Sequence, residues 1–452
     1  MNDWARDAIF YHLYPLGWAG APPRNDFVSL PVARLAAFHA WLPHLAALGV
    51  NALYLGPVWE SSAHGYDTAD YYQVDRRLGT NETLRDLSAD LHARGMRLIL
   101  DGVFNHVGRD FWAFRDLRER GEASPYRDWF AGVRFDARSP LGDPFTYDAW
   151  EGHFELVTLN LGHPDVRAHL FGAIDAWVRD FGIDGLRLDV AYALDQEFIR
   201  ALAAHCRALR PDFWLLGEVI HGDYRQWAYP GGLDATTNYV LYKGLYSSHV
   251  DANYFEIAYT LRQQFGEGGT YRDLALYTFA DNHDVDRVAS RLTDPAQLYP
   301  LYALLFTMPG IPSIYYGSEW GIAGARTATS DAALRPALDL ATAERDAPHP
   351  DLVPALARFA ALRHRLVALR RGDYRELLVA HQQLAFARQT GDERVIVALN
   401  AADHEATVTI PAPFPGARTA IDLLNGDESF PFNNGKLRVT LPQHWVRIMV
   451  VG

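Results

Sequence analysis

Short apolar runs alternate with amphipathic stretches along most of this chain, and that rhythm limits the fold more than any other feature. AIFYHLYPL (8–16) reads as a strand, LAAFHAWLPHLAALG (35–49) as a helix closed by Gly49, and VNALYLGPV (50–58) as the next strand. The pattern repeats in TLRDLSADLHARG (83–95), MRLILDGV (96–103), VRAHLFGAIDAWVRDFG (166–182) and GLRLDV (185–190). It continues through DQEFIRALAAHCRALRP (195–211), FWLLGEV (213–219), LALYTFADN (274–282), QLYPLYALLFTMPG (297–310) and IPSIYYG (311–317). Strand followed by helix means parallel strands joined by helical crossovers. Roughly eight such units predict an α/β fold, a (β/α)₈ barrel. The sixth unit, around 234–265, is blurred.

Two segments break the rhythm. Residues 107–164 are rich in Asp, Gly, Pro and aromatics and read as a subdomain inserted after the third strand. From 373 onward, RELLVA, QLAFARQ, RVIVALN, ATVTIP, KLRVTLP and WVRIMVV alternate with turn residues, which predicts a C-terminal β-sandwich. The expected division is therefore 1–106 with 165–371 as barrel, 107–164 as insertion and 372–452 as C-terminal domain.

Charge and cysteine content exclude several classes. With 42 Lys and Arg against 55 Asp and Glu, the 452-residue chain carries −13. It lacks the basic excess that phosphate neutralisation needs, so no nucleic-acid partner is expected. No run of about 18 apolar residues occurs, so no membrane span is expected. The opening MNDWARDAIFYHLYPLGW has no basic stretch followed by an apolar one, so no secretory signal is expected. A single cysteine, Cys206, allows no internal disulfide and fits a reducing, cytoplasmic location.

In such a barrel the chemistry lies at the C-terminal ends of the strands. The third strand ends in DGVFNH, giving Asp101, Asn105 and His106. The fourth ends in GLRLD, giving Arg187 and Asp189; the fifth in GE, giving Glu218. The seventh runs into FADNHD, giving His283 and Asp284. An acidic residue after a strand is often only a helix N-cap. Asp189 and Glu218 resist that reading, because further apolar residues follow each. Carboxylates paired with an arginine are the equipment of glycoside cleavage, one as nucleophile and one as proton donor. Arg187 precedes Asp189 by two residues, so both side chains leave one face of a strand. Arg187 is thereby expected to lower the pKa of Asp189, while the apolar GEVI context raises that of Glu218. Asp284 would bind sugar hydroxyls and distort the ring.

These motifs, in this order, resemble the α-amylase family (family 13 glycoside hydrolases). HGYDTADYYQVD (64–75), LVTLNLGHPDV (156–166) and PGIPSIYYGSEW (309–320) are similar to that family's flanking segments. The resemblance implies retaining cleavage of α-glucosidic bonds in maltodextrins or related α-glucooligosaccharides. It implies Asp189 as nucleophile, Glu218 as general acid/base and Asp284 as transition-state stabiliser, with Arg187 orienting Asp189. His106, His283 and Tyr66 would hold the sugar on the non-reducing side, and Asp101 and Asn105 would support the rim. No cofactor is required for that chemistry. Asn105 binds calcium in some members, but the insertion has no acidic cluster with oxygen-ligand spacing to support a calcium ion here.

Tyr192 and Ala193 stand where endo-acting amylases carry Lys-His. SSAHGYDTADYY and LDVA are closer to the cyclomaltodextrinase, neopullulanase and maltogenic amylase branch. The extra N-terminal β-domain of that branch is not expected, since the first barrel strand starts near residue 8, and dimerisation through it is not implied. Trp112, Trp129, Phe130, Tyr147, Trp150 and Phe154 are candidates either for a sugar groove or for the core of the insertion. Three other readings stay open. One is a transglycosylase or isomerase with the same motifs, and another is a non-catalytic sugar-binding module. The third is a metal-dependent barrel using His64, His106, His153, His163 or His283, for which no ligand spacing is visible. Linkage specificity and oligomeric state are not readable from the residues.

Overall fold

The computed structural model describes residues 4–452. Eight parallel strands form one sheet: β1 (Phe10–Leu13), β2 (Ala52–Leu55), β3 (Arg97–Gly102), β4 (Gly185–Leu188), β5 (Trp214–Gly217), β6 (Ala235–Thr236), β7 (Tyr277–Phe279) and β8 (Ile311–Tyr315). Their order is β6-β5-β4-β3-β2-β1-β8-β7, and a parallel bridge from Thr237 to Tyr277 closes the ring. This is the (β/α)₈ barrel that the alternation predicts. The strands are shorter than the apolar runs, because each run continues into its loop. The sixth unit is blurred in sequence because β6 is only two residues long. The stretch 35–49 is also not one helix: a 3₁₀ segment, Arg34–Trp41, precedes the α-helix Leu42–Ala47, which has Pro43 in its first turn.

Side-chain alternation sorts each strand between two environments. Phe10, Ala52, Tyr54, Ile99, Trp214, Leu216, Ala235, Tyr277, Phe279 and Ile311 fill the barrel interior. Tyr11, Leu13, Leu53, Leu55, Leu98, Leu100, Leu186 and Leu188 point outward, into the layer shared with the helices. Trp177, on the helix Pro164–Phe181, stacks on Trp59 at 4.4 Å and donates its indole N–H to the Tyr71 carbonyl at 2.8 Å. That helix ends at Gly182, whose φ of 62° suits a residue without a side chain. Asp195 caps the helix Gln196–Leu209 by accepting from the amides of Glu197 and Phe198.

The segment after β3 leaves the barrel through a short antiparallel pair, His106–Gly108 with Leu156–Thr158. Phe114 packs edge-on against Phe130 and Tyr147 at its centre. The last eight strands, from Arg375 to Val451, form an antiparallel sheet folded on itself. Here too the period of two decides. Ala385, Ala387, Ile396 and Ala398 face the small sandwich interior, while Leu384, Phe386, Val395 and Val397 face the barrel's helices. Among the described residues no helix is long and apolar enough to cross a membrane.

Candidate active site

At the C-terminal end of the barrel the inward-facing positions turn from apolar to charged. Arg187 lies opposite Asp101 on β3 and Leu216 on β5, one step above the apolar interior. Its Nη1 is 2.8 Å from Asp101 Oδ1 and 2.8 Å from Asp189 Oδ1, and its Nη2 is 2.9 Å from Glu218 Oε1. A planar guanidinium with five donors can serve several carboxylates at once. Asp101 Oδ2 also accepts the hydroxyls of Tyr54 at 2.9 Å and Tyr66 at 3.0 Å. After Asp189 the strand stops abruptly, and Val190 sits at φ 41°, a left-handed conformation that is unusual for a β-branched residue. That turn aims the Val190 amide at Glu218 Oε2, 2.9 Å away.

A second wall comes from the loops after β7 and β8. His283 Nε2 meets Asp284 Oδ2 at 2.9 Å, and Arg335 Nη2 meets Asp284 Oδ1 at 3.0 Å. Arg335 Nε also donates to the His283 carbonyl at 2.9 Å. Tyr66 hydrogen-bonds His283 Nε2 at 2.5 Å and stacks on its ring at 5.4 Å, while Tyr14 stacks on it at 5.8 Å. His106 Nε2, buried and without a hydrogen-bond partner, lies 3.8 Å from Asp189 Oδ2. The Trp150 ring is 5.8 Å from that of His106, and its indole N–H is likewise buried without a partner.

The charges follow from burial. Burial pushes the Asp189 carboxyl well above the usual carboxylate range; Arg187 opposes this, and Glu218, Asp101 and Asp284 add to it. Burial raises Glu218 as well, with Arg187 and the Val190 amide opposing and Asp284 adding. Arg187 does lower Asp189 as expected, but burial and the neighbouring carboxylates outweigh it, so the net shift is upward. Glu218 is not in purely apolar surroundings, since both its oxygens accept hydrogen bonds. Burial therefore favours the protonated form of both Asp189 and Glu218 over what either would be in water. Asp284, a third exposed, behaves differently. Burial raises it, but His283, Arg335 and Arg187 outweigh that and hold it below the usual carboxylate range. Burial depresses His106 to about 3, so its imidazole is neutral.

Every residue singled out at the strand ends thus lies in this one cluster, with Asn105 at its edge. His12, Tyr14, Tyr54 and Arg335 were not singled out. The first three look like ordinary strand aromatics, and the ring of His12 stacks on Tyr54 at 4.2 Å. Arg335 sits in an aperiodic stretch with no motif around it. Trp129, Phe130 and Tyr147 are buried in the insertion. Asn105 turns its amide nitrogen to His106 Nδ1 at 3.2 Å, and no acidic cluster converges there, so these residues do not fit a calcium site. Among the described residues no three His, Cys, Asp or Glu side chains are arranged to hold a metal ion. His163 instead caps a helix through Nδ1, and His153 stacks on Trp150.

Residues 35–348 match the α-amylase catalytic-domain model. The chain belongs to the α-amylase family. Residues 374–448 match the C-terminal domain model of maltogenic amylase. A cyclomaltodextrinase of Geobacillus thermopakistaniensis is 31% identical over 98% of this chain and 76% of its own length. Neopullulanase 2 of Thermoactinomyces vulgaris is 32% identical over 97% of this chain and 77% of its own. Among solved structures, the cyclic α-maltosyl-(1→6)-maltose hydrolase of Arthrobacter globiformis superposes with a TM-score of 0.83. It is 27% identical and matched over 100% of both chains. The barrel, the C-terminal β domain and the glycoside hydrolase class follow from this membership.

Proposed function

We propose that this member of the family is a retaining hydrolase of maltodextrins and related α-glucooligosaccharides. The observation that carries the reading is the Arg187 guanidinium bonded to Asp101, Asp189 and Glu218 together. Two carboxyls on one guanidinium are near neighbours, which suits the short spacing of about 5–5.5 Å that double displacement uses. In the reactive complex Glu218 is protonated and Asp189 is ionised. Asp189 attacks the anomeric carbon, the bond to the glycosidic oxygen breaks, and Glu218 gives that oxygen its proton. Glu218, now ionised, takes a proton from water as the water oxygen displaces Asp189 from the same carbon. Two inversions leave the anomeric configuration retained.

Asp284, kept anionic by His283 and Arg335, binds hydroxyls of the distorting ring. Tyr66, His106 and His283 hold the sugar on the non-reducing side, and Asp101 fixes Arg187. We place the domain limits at 106/107, 164/165 and 371/372. A cytoplasmic location belongs to the same proposal, on the ground that Cys206 is the chain's one cysteine and is buried.

Asp189→Asn is expected to reduce kcat/KM on maltooligosaccharides by at least about 10⁴-fold. Activity equal to wild type would overturn the assignment. A timed product profile on maltose, maltotriose, panose, cyclodextrin, trehalose and sucrose assigns the linkage. Longer or rearranged sugars at high substrate concentration would mean transfer instead of hydrolysis.

A further inference from the structure

At the opposite end of the barrel, where the chain enters β7 and β8, a cavity of about 40 Å³ is lined by five arginines: Arg6, Arg272, Arg370, Arg371 and Arg388. Among the described residues, Asp373 is the one carboxylate that lines it with them. The chain as a whole is acidic, so this concentration of cations is not a matter of average composition.

Arg388 is the decisive residue. It follows Leu384 and Phe386 on the barrel-facing side of its strand and is 1% exposed. Among the described residues no carboxylate forms an ion pair with it. Its three hydrogen bonds go to the carbonyls of Asp373, Thr307 and Gly372, at 2.9, 2.6 and 2.9 Å. A guanidinium has five N–H donors, so two remain. Behind it, Arg363 is fully buried and, among the described residues, bonds only the carbonyls of Phe306, Leu369 and Gly310. Burial depresses both arginines to about 9, which still leaves them charged at neutral pH. Arg370 pairs with Asp7 through Nη1 at 2.6 Å, but its Nε is buried without a partner. Arg272, half exposed, stands 4.0 Å from Asp373.

Part of this charge has a structural use. Arg363 and Arg388 bond carbonyls at the ends of two helices, Leu298–Thr307 and Val367–Arg371, and each helix C-terminus offers only about half a negative charge. That does not balance two buried cations, and Asp7 is already bonded to Arg370 and Arg371. Burying an uncompensated charge is costly, so a counter-ion is expected to fill the deficit.

The geometry points to an oxyanion-binding site between Arg272, Arg370 and Arg388, taking one inorganic phosphate or a sulfate of the same shape. The cavity exceeds the roughly 10–15 Å³ that one water needs, and has no room for a nucleotide. Arg272 belongs to the barrel floor, Arg370 to the last barrel helix and Arg388 to the C-terminal sheet. A bound anion therefore ties the C-terminal domain to the barrel, far from the carboxylate cluster.

The test is thermal unfolding of the full chain titrated with potassium phosphate, against potassium chloride at equal ionic strength. Phosphate is expected to raise Tm saturably by about 2–4 °C beyond chloride, and sulfate to act alike. Calorimetric titration should give one phosphate per chain. Arg272→Gln, at a half-exposed position, should fold normally, keep wild-type turnover and bind phosphate at least about tenfold more weakly. A Tm rise that chloride reproduces, or a phosphate response unchanged in Arg272→Gln and Arg370→Gln alike, would overturn the site.

Discussion

Arg187 meets three carboxylates with one positive charge, and burial favours the protonated forms of Asp189 and Glu218 beside it. The pH dependence of kcat/KM should therefore be bell-shaped, with both limbs belonging to the pair. Activity falls at low pH as Asp189 gains a proton, and at high pH as Glu218 loses its own. Because burial raises both groups, the high-pH limb lies above the ordinary glutamate value of about 4.3. An α-glucosyl fluoride needs no protonated leaving group. On it, Glu218→Gln should keep the low-pH limb and lose the high-pH one; a high-pH limb that persists would assign that limb to another group. Arg335 acts on the same chemistry through Asp284. Arg335→Ala should lower kcat by about 10²-fold, the scale of one lost charge-stabilising donor. It should change KM less, and Arg335→Lys should recover part of the loss. A variant with wild-type kcat would show that His283 alone orients Asp284. The carboxylates were legible in the sequence because each ends an apolar run. Arg335 was not, because its loop has no period, and the reach of its side chain is set by tertiary structure alone. The sharing of Arg187 was equally hidden: spacing places it beside Asp189 but says nothing of Glu218 on the next strand.

At the scale of elements, alternation carried most of the information, and length carried little. Apolar runs of six to nine residues became strands of three to six, because the same residues continue into loops that are themselves buried. β6 escaped recognition since two paired residues make no pattern, and its place is held by its neighbours. In the C-terminal sheet the alternation is complete: Leu384 and Phe386 face the barrel, Ala385 and Ala387 the sandwich interior. Phe386→Ala should cost about 3–5 kcal/mol in urea or thermal unfolding. A loss below about 1 kcal/mol would mean that the two layers are not packed as described.

For the molecule as a whole, one continuous core runs from the barrel's helices into the C-terminal sheet, including Leu356, Phe359, Leu384, Val397 and Ile448. Interfaces built like a core melt with it. Scanning calorimetry should give a single transition; two well-separated ones would contradict the shared core. The central claim remains that Asp189 becomes the glucosyl ester while Glu218 moves the proton. Its most direct test is peptide mapping of the Glu218→Gln protein after reaction with an α-glucosyl fluoride, where loss of the general base slows release of the covalent intermediate. The account predicts a single added hexose on the peptide containing Asp189. A hexose on any other residue, or no covalent adduct together with inverted product, would contradict it.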